Sequence, residues 1–178
     1  MTIRPAAPGD AAAITRIYAH WVRETHATFD LEPPTEAEWV GRWEEAEANR
    51  RPWLVATGAG GGAIEAFAIS SAFRAKAAYG ATIETTVYVD EAKVGRGLGR
   101  PVYEALLAEG TARGFHVAVA GIALPNPGSI ALHEALGFEP VGVFREVGHK
   151  LGAWRDVQWW QKPLQPSGST PPQVPSAP

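Results

Sequence analysis

The stretch Lys93-Val94-Gly95-Arg96-Gly97-Leu98-Gly99-Arg100 carries the strongest chemical signal in the chain. Gly95, Gly97 and Gly99 let a backbone pass close to a ligand, because no Cβ stands in the way. A helix pattern begins where the glycines end, so successive N–H groups at its start point outward. With the helix dipole they form a site for an anion such as a pyrophosphate. Lys93, Arg96 and Arg100 would add mobile positive charge around it. The bland alternative is a glycine-rich turn flanked by solvated basic residues. Two rival nucleotide signatures fail: no Lys-Ser or Lys-Thr follows the glycines, and no acidic residue sits after a second strand as a dinucleotide fingerprint requires.

Other residues stand out by type and setting. Glu84 interrupts an otherwise apolar, β-branched run, Ile83 to Val89. Facing inward, its carboxyl would be raised by burial toward the range of a general base. Facing outward, it would be a solvated strand residue, since strand side chains alternate. His133 sits on a short helix pattern, either packed and hydrogen-bonded or poised for proton transfer. Arg74 and Lys76 alternate with alanines in Phe73-Arg74-Ala75-Lys76-Ala77-Ala78-Tyr79. In an extended segment both cations share a side and suit a carboxylate plus a second anionic or polar oxo group. In a solvated loop they do nothing specific. Asn126 and Ser129, in Asn-Pro-Gly-Ser, are well suited to turn formation and helix capping.

Composition removes other chemistries. The 178 residues contain no cysteine, so disulfides, thiolate nucleophiles and cysteine-ligated zinc are excluded. The five histidines show no metal-ligand spacing, and no metal is expected. No Gly-x-Ser-x-Gly elbow offers an acyl-serine route. A net charge of −3 provides no bulk attraction for nucleic acid or an anionic membrane. The start of the chain, MTIRPAAPGD, lacks a signal-type apolar run, and no segment approaches the roughly 20 apolar residues of a span. The expected setting is the cytoplasm.

These residues need elements to position them. The periodicities predict a short strand near residues 2–5, and a helix capped by Asp10 with Ile14, Ile17, Tyr18 and Trp21 on one face. A second helix opens on the capping box Thr35-Glu36-Ala37-Glu38, with Trp39, Val40 and Trp43 inward. Strands follow at 53–56, 64–71 and 83–89, with a glycine turn between the first two. A helix runs from Leu98 to about Arg113, where Pro101 is tolerated in the first turn. Then come a strand at 116–122, a helix at 130–136 and strands at 141–147 and 157–162. The order predicts an α/β protein of α+β type: a mixed, mostly antiparallel sheet of about seven strands flanked by about four helices. From Gln165 onward the chain is QPSGSTPPQVPSAP, with five prolines and almost nothing apolar, which reads as a disordered tail after a domain spanning 1–164.

Several of these strings, in this order, resemble the GNAT superfamily of N-acetyltransferases, and most of all its phosphinothricin-type members. They are Tyr79, Ile83-Glu84-Thr85-Thr86-Val87-Tyr88-Val89, the glycine turn, Gly121-Ile122-Ala123-Leu124-Pro125-Asn126, Leu132-His133-Glu134-Ala135-Leu136-Gly137-Phe138 and Trp154-Arg155-Asp156-Val157. The resemblance spans roughly residues 2–164. It implies the GNAT fold, acetyl-CoA as co-substrate, a small-molecule amine as acceptor and a homodimer. Gly97 and Gly99 match the small positions of Gln/Arg-x-x-Gly-x-Gly/Ala, the pyrophosphate turn of that family, while Val94 departs from its first position. Backbone amides should still hold the cofactor there, without the polar side chain that the first position supplies in the family pattern. The resemblance further implies Glu84 as general base and His133 as general acid or thiolate stabiliser. Asn126 and Ser129 would bond the pantetheine arm or pyrophosphate. Backbone groups of Val87, Tyr88 and Val89 would pair with that arm, the Val89 amide also serving as oxyanion donor. Gly95, Arg96, Leu98 and Arg100 would complete the cofactor turn. On the acceptor side, Arg74, Lys76 and Tyr79 would bind phosphinothricin, methionine sulfoximine or methionine sulfone, with attack in a ternary complex. Trp154, Trp159 and Trp160 are expected as core or interface anchors. His149 and Leu151 depart from relatives that have Tyr and His. Acceptors of another kind, a protein N-terminus or lysine, or a purely acyl-CoA-binding role, are the competing readings.

Overall fold

Along Trp53-Leu54-Val55-Ala56 the side chains alternate, Trp53 and Val55 to one face and Leu54 and Ala56 to the other, and all four are buried. A strand covered on both sides needs helices above and below it. The computed structural model, which describes residues 1–58 and 61–169, shows both layers. Among the described residues there are seven strands and four α-helices. They run β1 (Thr2–Pro5), α1 (Ala11–Glu24), α2 (Glu36–Ala48), β2 (Trp53–Thr57), β3 (Ile64–Ala72), β4 (Thr82–Val89), α3 (Gly99–Ala112), β5 (Val117–Ala123), α4 (Pro127–Ala135), β6 (Glu139–Lys150) and β7 (Ala153–Pro163). The predicted element order is therefore the observed one, with ends shifted by a few residues.

The strands form one sheet in the order β1-β2-β3-β4-β5-β7-β6. Neighbours are antiparallel except β4 and β5, which are parallel. Parallel neighbours cannot be joined by a hairpin, so the chain crosses over through α3. One core joins α1 and α2 to Trp53, Val55, Phe67 and Tyr88. The other packs α3, with Leu136 and Phe138 after α4, on Leu54, Ala68, Ile83 and Trp160. Among the described residues, no helix is long and apolar enough to cross a membrane.

Two capping predictions had different outcomes. Thr35 caps α2 through a reciprocal pair: its Oγ1 accepts from Glu38 N at 3.2 Å, and Glu38 Oε2 accepts from Thr35 N at 2.7 Å. Asp10 does not cap α1. Its backbone is already helical (φ −85°, ψ −10°), not in the extended conformation an N-cap needs. Its carboxylate instead accepts from Ala7 N at 2.8 Å and pairs with Arg4 at 2.7 Å. After β7, Gln165 Nε2 donates to Thr111 O at 2.8 Å, and Ser169 Oγ lies 3.2 Å from His116 Nδ1. Residues 170–178, the greater part of the expected tail, lie outside the described residues.

Candidate active site

The site starts from a failure of pairing. β4 pairs with β5 only at Thr82, Ile83 and Glu84, opposite Val117, Ala118 and Val119. On its other side β4 pairs with β3 along its length, to Val89 opposite Ala66. From Thr85 onward β4 and β5 therefore part, and a gap opens in the middle of the sheet. Strand residues alternate the direction of their N–H and C=O groups. Asp90 N donates to Glu65 O on the β3 side at 2.8 Å, so Val89, and Val87 before it, turn theirs into the gap. Trp21 Nε1 takes the Val89 carbonyl at 2.9 Å, leaving the Val89 N–H facing the opening.

The glycine turn closes the end of this gap. Gly95 (φ 79°) and Gly97 (φ 76°) occupy the left-handed region, which strains any residue with a Cβ. An added Cβ at either would meet no heavy atom within 4 Å, so the turn borders open space. At Gly99 a Cβ would lie 3.4 Å from Val89 Cγ2, so this glycine lets α3 start close against β4. No side chain caps the first turn of α3, and its leading N–H groups stay available to an anion. The flanking cations are less mobile than expected. Lys93 Nζ sits 2.8 Å from Glu65 Oε1, and Arg100 Nε sits 3.0 Å from Glu104 Oε1. An acidic neighbour four residues along the helix captures Arg100, and one on the strand β3 beside the turn captures Lys93.

The resulting groove has a volume of about 550 Å³. Of the predicted cofactor residues, Val87, Tyr88, Val89, Gly95, Gly97, Leu98, Gly99, Arg100, Asn126 and Ser129 line it. Arg96 does not; it is exposed. Asn126 also caps α4, its Oδ1 accepting from Ser129 N at 3.1 Å. An uncapped helix start, a backbone edge in a sheet gap and room at two left-handed glycines fit a pyrophosphate joined to an amide-bearing arm.

His133 lies on the groove lining yet is only 4% exposed. Its Nδ1 is 2.7 Å from Ser129 O, an acceptor, so this nitrogen carries a proton. Nε2 is 3.1 Å from Tyr103 Oη, which in turn is 2.8 Å from Thr85 Oγ1. Both nitrogens are thus engaged. Burial lowers the imidazole pKa, partly opposed by the Ser129 carbonyl, so the neutral form is favoured.

A second cavity of about 960 Å³ adjoins the first, sharing Ala27, Thr86, Tyr88 and Gly121. Glu84 lines it, on the same β4 face as Thr86 and Tyr88. Burial raises the Glu84 carboxyl above its ordinary value, while the nearby Arg74 charge pulls it down. Arg74 lines the cavity as well, its guanidinium 4.5 Å from the Phe73 ring and 5.9 Å from that of Trp159. The predicted partnership with Lys76 does not form. The segment bends after Ala72 and ends in a 3-10 turn, Ala77–Tyr79, so the alternation of an extended chain is lost. Lys76 and Tyr79 are exposed and outside the cavity lining, although the Tyr79 ring packs edge-on against Phe73 at 5.6 Å.

Trp159, expected as an anchor, instead forms part of this cavity wall, whereas Trp160 is buried and Trp154 exposed. Sequence reasoning missed Phe29, Asp30 and Arg42, which also line it. Phe29 and Asp30 sit in a loop without periodicity. Arg42 falls on the polar side of the α2 pattern, which gives no hint of a cavity.

Comparison with known proteins agrees with this geometry. The acetyltransferase (GNAT) domain matches residues 3–159. A phosphinothricin N-acetyltransferase of Streptomyces coelicolor is 42% identical, over 91% of this chain and 95% of its own. An L-methionine sulfoximine/L-methionine sulfone acetyltransferase of Pseudomonas aeruginosa is 36% identical, over 96% of this chain and 98% of its own. Among solved structures, a phosphinothricin acetyltransferase from Sinorhizobium meliloti in complex with acetyl-CoA superposes with a TM-score of 0.92 at 36% identity, covering 97% of this chain and 93% of that one. Motif order, sheet topology and sequence identity converge, and the chain belongs to the GNAT family of N-acetyltransferase enzymes.

Proposed function

We propose that this enzyme acetylates the α-amino group of a small L-amino acid or analogue of the phosphinothricin, methionine sulfoximine or methionine sulfone type. The observation that carries the reading is the meeting of two cavities at Thr86 and Tyr88, with Glu84 on the acceptor side and the glycine turn on the other. Acetyl-CoA, when bound, supplies the activated acetyl group. The N–H groups of the α3 start and the Gly95–Gly99 turn hold its anionic part, and the free edge of β4 at Val87 and Val89 pairs with the arm. Asn126 and Ser129 at the start of α4 add polar contacts.

Glu84 takes the proton of the acceptor ammonium, directly or through one water, and its raised pKa suits it to that task. The Val89 N–H donates to the acetyl carbonyl oxygen as charge develops on it. His133 is the acid or thiolate stabiliser. With Nδ1–H held by Ser129 O and the ring neutral, Nε2 carries the lone pair and accepts from Tyr103 Oη. His133 therefore serves as the acid only after Nε2 takes up a proton, for which Tyr103 and Thr85 beside the groove form the path. Arg74 is the principal partner for the acceptor carboxylate, with Lys76 an auxiliary cation further along the same loop and Tyr79 steadying Phe73. We assign this work to residues 1–164. The enzyme acts as a homodimer through the exposed apolar ribbon of β6, where Val141, Val143, Phe144 and Val147 lie uncovered.

A thiol-release assay tests the proposal, with acetyl-CoA against phosphinothricin, methionine sulfoximine, methionine sulfone and a short peptide panel. Turnover on the amino acids, reduced by about 100-fold or more in Glu84→Gln, is the expected result. Turnover on peptides alone would refute the acceptor assignment, and full activity in Glu84→Gln would refute the base.

A further inference from the structure

Charge matching in the acceptor cavity goes one step beyond this proposed function and rests on it. An L-amino acid offers an ammonium group for Glu84 and a carboxylate for Arg74. The cavity, at about 960 Å³, lies at the upper end of the usual range for a small-molecule site, so the far end of a small acceptor needs an anchor of its own. A second cation lines the cavity. Arg42, on α2, reaches the cavity from a different element than Arg74.

Its setting is that of a held but underused guanidinium. The group rests on the Trp39 ring, 5.0 Å from the centroid, and Trp39 is itself almost fully buried. That stacking fixes its plane without consuming its N–H donors. Among the described residues its ion-pair contact is Asp30 Oδ2 at 3.9 Å, the outer limit for such a pair. The same Asp30 oxygen already accepts from Tyr18 Oη at 2.9 Å. Two further carboxylates lie on this side. Glu45 is engaged by Arg51 at 2.6 Å. Glu38, one turn back on α2 and within reach of the Arg42 charge, has its Oε2 taken by the Thr35 N–H and hydroxyl at 2.7 and 2.8 Å. Arg42 therefore has donor capacity left over and faces a space meant for substrate.

We infer that Arg42 is a specificity-determining residue that binds an anionic group at the far end of the acceptor side chain. The favoured acceptor class is then an amino acid ending in an anionic oxo acid, such as a phosphinate, over one ending in a neutral sulfone. Two oxygens of a phosphinate can take two guanidinium N–H groups with charge assistance, while sulfone oxygens are neutral and weaker acceptors.

Steady-state kinetics of Arg42→Gln, Arg42→Lys and wild type test this with phosphinothricin and methionine sulfone at saturating acetyl-CoA. Arg42→Gln should raise KM for phosphinothricin about tenfold and leave KM for methionine sulfone within about twofold, with kcat for both little changed. Arg42→Lys should recover part of the binding, because it keeps the charge without the planar fork. Equal changes for the two acceptors, or none for either, would overturn the inference while leaving the acetyltransferase reading intact. Wild-type enzyme that acetylates neither acceptor would remove both this inference and the acceptor assignment on which it rests. Thermal melting of each variant checks that folding is unaltered.

Discussion

At the scale of single residues the site depends on opposed influences on one carboxyl group. Burial raises Glu84 and the Arg74 charge lowers it. A base works only when deprotonated, so kcat on an amino acid acceptor should rise with pH through the raised Glu84 pKa and level off above it. Removing the Arg74 charge removes the lowering influence. In Arg74→Gln the acid limb of the kcat–pH profile should therefore move to higher pH, at saturating acceptor. A limb that stays in place or moves down would mean that Arg74 does not act on the base. The position of Glu84 in an apolar strand was legible in the sequence. Its facing was not, because alternation in β4 says only that one of two faces is chosen.

Elements set the cofactor groove. The parting of β4 from β5 after Glu84 exposes a backbone edge, and the uncapped start of α3 supplies N–H groups at the end of it. The turn between them depends on left-handed Gly97, where a Cβ strains the backbone by about 1 kcal/mol. The space around it is open, so Gly97→Ala should leave the core intact and lower Tm by only a few degrees. The N–H groups displaced by the strained turn should weaken acetyl-CoA binding by about fivefold or more, measured by isothermal titration. Unchanged affinity would detach this turn from phosphate binding. The glycine spacing is a local signal and was readable in the chain. The Arg100–Glu104 pair, four residues apart on α3, is equally local, but the ion pair that holds Lys93 was harder to see, since Glu65 lies on β3, far from the turn in the chain.

For the whole molecule the uncovered ribbon of β6 is the main unfinished surface. Val143 and Val147 are exposed there, and Trp154 on β7 is 62% exposed. Phe144 and Val147 also border the acceptor cavity. Val143→Glu, placing a charge in the proposed interface, should shift the protein toward monomer in sedimentation analysis. It should also raise the acceptor KM while leaving acetyl-CoA affinity unchanged, because β6 does not line the cofactor groove. A wild-type monomer, or a dimer unaffected by this change, would move the interface elsewhere.

Local regularities carried much of this protein's description. Side-chain periods set the order of strands and helices, the Thr35 and Glu38 pair marked the start of α2, and alternate glycines marked the anion turn. Each depends on neighbours a few residues apart, which a linear chain displays. Packing settled the rest. It brought Arg42, Phe29 and Trp159 to one cavity from a helix, a loop and a strand far apart in the chain, and it left Lys76 and Arg96 off the linings. It engaged both nitrogens of His133 through Ser129 and Tyr103. It also recruited Asp10 to Arg4, away from the helix it was expected to cap. Such contacts arise from which faces of distant elements meet, and burial then alters the chemistry of the groups caught between them. That information is absent from local spacing.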